Sequence, residues 1–125
     1  MGNRVERFED LIAWQKARLL RANVGQVTRE AVFRRDPSMA DQMRRAARSI
    51  MANIAEGFEK HSRPEFHRFL TIAQGSCGEL RSDLYAALDD GLIDRGRFDN
   101  IYSMCSEVSR IIAGLRASVR RRTIA

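Results

Sequence analysis

The sequence predicts an all-α fold, an antiparallel up-and-down four-helix bundle, and three observations carry that reading. Only two prolines, Pro37 and Pro64, interrupt 125 residues, so most of the chain is free to remain helical. No stretch alternates apolar and polar residues as a half-buried strand would. Four separate segments instead repeat apolar residues at steps of four and three, which places them on one face of a helix. With 44% hydrophobic and 30% charged residues, the chain has enough apolar surface for a core and too much for a disordered segment. At this length a single domain, residues 1–125, buries its own core without disulfides or metal.

The first helix is predicted over about 10–30, with Ala13, Ala17, Leu20, Val24, Val27 and Ala31 as its apolar stripe. A loop holding Arg34, Arg35, Asp36 and Pro37 follows. Ser38 with Asp41 three residues on resembles a capping box, so the second helix is placed over 39–60, facing inward through Met39, Met43, Ala46, Ile50, Ile54 and Gly57. Ser62-Arg63-Pro64-Glu65 joins an N-cap serine, an early proline and a capping glutamate, and opens a third helix over 63–90. Phe66, Leu70, Ala73, Cys77, Leu80, Leu84 and Ala87 form its stripe, and Gly91 ends it as a left-handed cap. Asp94 caps the fourth helix, over 95–120, whose stripe is Phe98, Ile101, Cys105, Val108, Ile112, Leu115 and Val119. Short connections and a period near 3.5 imply antiparallel neighbours crossing at roughly 20°.

The net charge of +6 is uneven: residues 1–48 carry +5, 49–115 carry −3 and 116–125 carry +4. Such a basic balance favours polyanionic partners, nucleic acid or an anionic membrane. Of 22 basic residues 20 are Arg, which suits bidentate phosphate contacts; a GC-rich genome would produce the same bias. No run reaches the roughly 18 apolar residues of a membrane span. The start, MGNRVERFED, lacks the apolar stretch of a signal peptide, so a cytoplasmic protein is expected.

Enzymatic readings meet obstacles. Cys77 and Cys105 occupy seam positions, where cysteine serves as a small hydrophobe. His61 and His67 have no cysteine or second histidine at ligand spacing. A di-iron bundle needs Glu-x-x-His pairs, and the chain has none. In HEPN-type ribonucleases four to six residues separate a motif arginine from its histidine, whereas only three separate Arg63 from His67. No P-loop, dinucleotide fingerprint or nucleophile elbow occurs. A non-enzyme without cofactor or metal is expected.

The faces away from the seams carry the remaining information. Thr71, Gly75, Gly78, Ser82 and Ala86 form a second, small-residue stripe on the third helix. Interior glycines cost on the order of 1 kcal/mol each, so the stripe points either to a close contact with another helix or subunit or to a tolerated weakness. On the second helix Gln42, Arg45, Ser49, Asn53 and Glu56 make a polar flank suited to a half-buried network, with Arg45 and Glu56 needing partners on other elements. Trp14, Arg18, Arg21 and Gly25 share a line on the first helix, where Trp beside Arg suits a subunit interface first and base stacking second. Antiparallel topology gathers Arg116, Arg120, Arg121 and Arg122 at the same end as Arg4, Arg7, Lys60 and Arg63. With Arg44 and Arg48 these are the candidate nucleic-acid contacts. The candidate oligomer interface is Trp14, Arg18, Arg45, Asn53, Glu56, Thr71, Gly75, Gly78 and Ser82.

FEDLIAWQKA at 8–17, QMRRAARSIMANIAEGF at 42–58, EFHRFLTIAQGSCGEL at 65–80 and the apolar pattern of the last helix together resemble the four-helix proteins encoded in intervening sequences of bacterial 23S rRNA genes. The accessory variability determinants of diversity-generating retroelements are similar in architecture. The resemblance implies a homopentamer without known catalytic activity, and for the retroelement relatives a basic ring that binds nucleic acid and a reverse transcriptase. Trp14, Gln15, Arg44, Arg45, Asn53, Glu56, Gly57, Gly75, Ser76 and Glu79 match family motif positions; Cys77-Gly78 departs from the apolar or small pair more usual there. Charge and resemblance together lead to the expectation of a non-enzymatic, oligomeric, RNA-associated protein. The alternative is a scaffold for a protein partner such as a reverse transcriptase.

Overall fold

Each of the four predicted segments is a helix: α1 spans Ile12–Thr28, α2 Pro37–Glu59, α3 Arg63–Asp89 and α4 Arg95–Ile124. The computed structural model describes residues 5–124, with side chains as far as Arg121. Arg4 and the side chain of Arg122, two of the candidate nucleic-acid contacts, lie outside the described residues. Two short 3₁₀ turns, Phe8–Asp10 and Ala31–Arg35, flank α1.

The helices close a ring, α1 packing on α2 and α4 and α3 on α2 and α4. The stripes read from the sequence meet at its centre. Leu20, Met43, Ile50, Ile54, Leu70, Leu80, Leu84, Ile101 and Ile112 are fully buried. Cys77 and Cys105 sit among them, the Cys105 thiol donating to the Cys77 carbonyl at 3.4 Å. The neighbouring Cys105 thiol and burial push the Cys77 thiol up, away from the reactive thiolate.

Several boundaries differ from expectation: α1 begins at Ile12, after the 3₁₀ turn Phe8–Asp10, and α4 runs past 120 to Ile124. The cap of α2 is Asp36, whose Oδ1 accepts from the Met39 amide at 3.0 Å, and Pro37 is the first helical residue. Ser38 therefore lies inside the helix. An Asp-Pro pair starts a helix well because proline lacks the amide that the first turn leaves unpaired. In α1 the inward stripe ends on Thr28 instead of Val27 and Ala31, because the helix stops at Thr28 and Ala31 passes into the 3₁₀ turn.

The other three caps follow the sequence, Asp94 Oδ1 accepting from the Arg97 amide at 2.8 Å at the start of α4. Ser62 Oγ accepts from the Glu65 amide. Gly91, at φ +73°, ends α3 in a Schellman arrangement, with the Leu92 amide on the Ala87 carbonyl and the Gly91 amide on that of Leu88. Gly57 marks a close approach of α2 to α3: a Cβ there would lie 2.6 Å from that of Phe69.

Candidate nucleic-acid interface

Along the groove between α1 and α2, arginines gather without counter-ions. Arg21 and Gly25 share a face of α1 that Arg29 continues from the helix's C-cap at the same step of four, and Arg44 and Arg48 share one on α2. The five line one concavity of about 310 Å³. Gly25 is its floor, with Arg29 Nη1 folded to 3.4 Å from where a Cβ would stand. Arg44 is fixed by the end of α1: its Nε donates to Thr28 Oγ1 at 2.9 Å and its Nη2 to the Thr28 carbonyl at 3.1 Å. The Thr28 hydroxyl in turn donates to the Val24 carbonyl at 2.7 Å, so its burial leaves no polar atom unmet. No described carboxylate pairs with Arg21, Arg29, Arg44 or Arg48. Arg29 and Arg44 also line a second concavity of about 430 Å³, with Arg34 on its rim.

At the opposite end of α1 the topology gathers the basic residues named from the sequence, but their surroundings differ. Arg7 pairs with Glu9 at 3.5 Å and Lys60 stands over the Phe69 ring. Arg63, Arg120 and Arg121 are exposed. Arg116 is half-buried and turned inward: its Nη1 donates to Gln74, whose Nε2 donates to the Ser109 carbonyl at 3.2 Å. That network joins α3 to α4.

The residues read as an interface divide between inside and outside. Ser49 and Ser76 share a hydrogen bond of 2.9 Å across α2 and α3, and Asn53 Nδ2 donates to both the carbonyl and the hydroxyl of Ser49. The half-buried network expected from Ser49 and Asn53 is thus formed within one chain. Arg45, by contrast, needs no partner on another element, because Asp41 lies one turn back at 3.8 Å. Glu56 is exposed and supports the charge of Arg68 on α3. Thr71, Gly75 and Ser82 face outward with Gly78 half-buried, and a Cβ at Gly75 would meet nothing within 4 Å. Trp14 packs edge-on against Phe8 at 5.1 Å beneath the Arg18 guanidinium. Beside it a shallow hollow of about 440 Å³ includes Leu19, which is 54% exposed.

Sequence reasoning missed Arg29 and Arg34 and placed Arg21 with the Trp14 interface line instead of the nucleic-acid contacts. Arg29 was within reach, since one more step along the line Trp14, Arg18, Arg21, Gly25 arrives at it. Arg34 was not, because its position depends on the 3₁₀ turn. Among the described residues no group of three or more His, Cys, Asp or Glu is placed to hold a metal ion, and no helix is long and apolar enough to cross a membrane.

Fold and groove define the class: an up-and-down four-helix bundle carrying an arginine-lined cleft between its first two helices. Within that class the chain belongs to the 23S rRNA-intervening sequence protein family, which matches residues 9–114. A solved structure shares the fold, a protein of unknown function from the S23 ribosomal protein family of Bacteroides thetaiotaomicron. It is 20% identical, covers 84% of this chain and 98% of its own, and superposes with a TM-score of 0.77. Among curated proteins nothing matches.

Proposed function

We propose that the protein is a non-enzymatic, RNA-associated subunit of a cytoplasmic homo-oligomer, a pentamer by family resemblance. The observation that carries this reading is the α1/α2 groove, where no described carboxylate pairs with Arg21, Arg29, Arg44 or Arg48 and the one acidic lining residue, Glu30, is engaged by Arg97. Arginines left unpaired repel one another, and a polyanion relieves that repulsion while releasing its own counter-ions. Guanidinium groups of this kind contact phosphates, and no reading of base sequence is implied. The family's name, which refers to an intervening sequence of 23S rRNA, agrees with an RNA partner.

Binding of structured RNA by the purified protein tests the proposal. Affinity falls steeply from low to moderate salt if it is right. Binding no tighter at low salt than that of a neutral four-helix bundle overturns it.

A second reading, a scaffold for a protein partner, draws on the hollow beside Trp14 and on the exposure of Ile12 (61%) and Leu19 (54%). Apolar surface next to Trp and Arg has the composition of an interface core. Recovery of one defined protein after nuclease treatment would favour this reading over RNA association.

A further inference from the structure

We infer that the α1/α2 groove seats consecutive phosphate groups of one nucleic-acid strand, the first over Gly25 among Arg21, Arg29, Arg44 and Arg48, the next between Arg29 and Arg34. This rests on the RNA-associated reading and assigns it a place away from the basic end of the bundle.

Three observations carry it. The two concavities are continuous in their lining, since Arg29 and Arg44 border both. Arg21 and Arg29, the residue that caps α1, are eight residues apart, about 12 Å along the axis, longer than a single tetrahedral ion and suited to phosphates in series. The cleft is also preorganised. Arg44 is anchored on Thr28 and keeps Nη1 for a ligand, while Gly25 leaves the space into which the Arg29 guanidinium folds, so that a phosphate there meets a cation instead of a Cβ. Of the residues lining the second concavity only Glu30 is acidic, and Arg97 engages it from α4 at 2.8 Å. An incoming phosphate therefore meets guanidinium groups and a neutralised carboxylate.

The chemistry recognised is a chain of phosphates, which an RNA strand or an inorganic polyphosphate can supply. The experiment uses both: calorimetric titration of the full chain with tripolyphosphate and with a short single-stranded RNA. Arg21→Ala/Arg48→Ala is compared with a charge-matched control on α4, Arg95→Ala/Arg110→Ala. Arg21 and Arg48 are exposed, and thermal melts establish that both variants stay folded.

The parent binds both probes, and the groove variant loses roughly tenfold or more for each. Its salt slope for RNA falls by about 1.4, two contacts fewer, while the control keeps most of its affinity. Equal losses in both variants would reduce the effect to net charge and overturn the inference, as would a parent that ignores tripolyphosphate. RNA binding that survives in the groove variant overturns the inference and leaves RNA association standing. Tripolyphosphate binding without RNA binding does the reverse, leaving a phosphate site and removing the nucleic acid.

Discussion

The guanidinium of Arg44 closes the last turn of α1, taking both the hydroxyl and the carbonyl of Thr28 from across the groove. One side chain thus satisfies a helix C-terminus and presents charge to solvent. Arg44→Ala strands a buried carbonyl and should cost about 1–3 kcal/mol, read as a lower urea midpoint. Arg44→Lys keeps the charge but lacks the fork that spans two acceptors, so an intermediate loss is expected. An unchanged midpoint for Arg44→Ala would show that Thr28 does not depend on it.

The same substitution at two glycines should have opposite signs. Gly57→Ala drives a methyl to 2.6 Å from the Phe69 Cβ and forces α2 from α3, a cost of about 1–3 kcal/mol. Gly75→Ala meets open space and should stabilise the isolated protomer by up to about 1 kcal/mol through helix propensity. Thermal unfolding of dilute protein separates the two, and a destabilised Gly75→Ala would refute the open-space reading.

If the outward stripe of α3 packs against another subunit, Gly75→Leu with Gly78→Leu should leave a monomer of 14.3 kDa by light scattering. The parent should be several times heavier. A monomeric parent at micromolar concentration would remove the interface reading.

Asp83 supplies a pH dependence. It is only 7% exposed, its Oδ2 has no hydrogen-bond partner, and burial, with the Glu79 charge added, pushes its carboxyl above the ordinary value of 3.8. The folded state therefore holds this proton more tightly than the unfolded chain. The resulting stability is complete below pH 3.8 and is lost as pH rises through the elevated folded value. Asp83→Asn should exceed the parent in stability at neutral pH by about 1 kcal/mol, and the advantage should vanish in acid. An advantage independent of pH would refute the assignment.

What could be read in advance followed from periodicity. The stripes of α2, α3 and α4 needed only spacing, and the cap residues Ser62, Gly91 and Asp94 needed only local chemistry. Errors arose where two local signals competed, as at Asp36-Pro37-Ser38, or where a stripe ran past its helix, as at Ala31. The site was half legible. Arg44 and Arg48 were named, yet their convergence with Arg21 and Arg29 depends on how α1 lies against α2, and periodicity along one helix says nothing about which faces of two helices adjoin. Arg116 illustrates the converse: its charge suggested a surface, whereas packing turned it toward Gln74.

The three-residue connection Lys60–Ser62 between α2 and α3 sets the order in which the chain is expected to organise. Closing so short a loop costs little chain entropy, and the pair it joins already includes the Gly57–Phe69 approach and the Ser49–Ser76 bond. Contacts close in sequence form early, because little loop-closure entropy is spent before they are made. Destabilising changes at the α2/α3 seam should therefore slow folding, whereas changes in α1 should mainly hasten unfolding. The arginine groove would then be the last part of the molecule to assemble and the first to open.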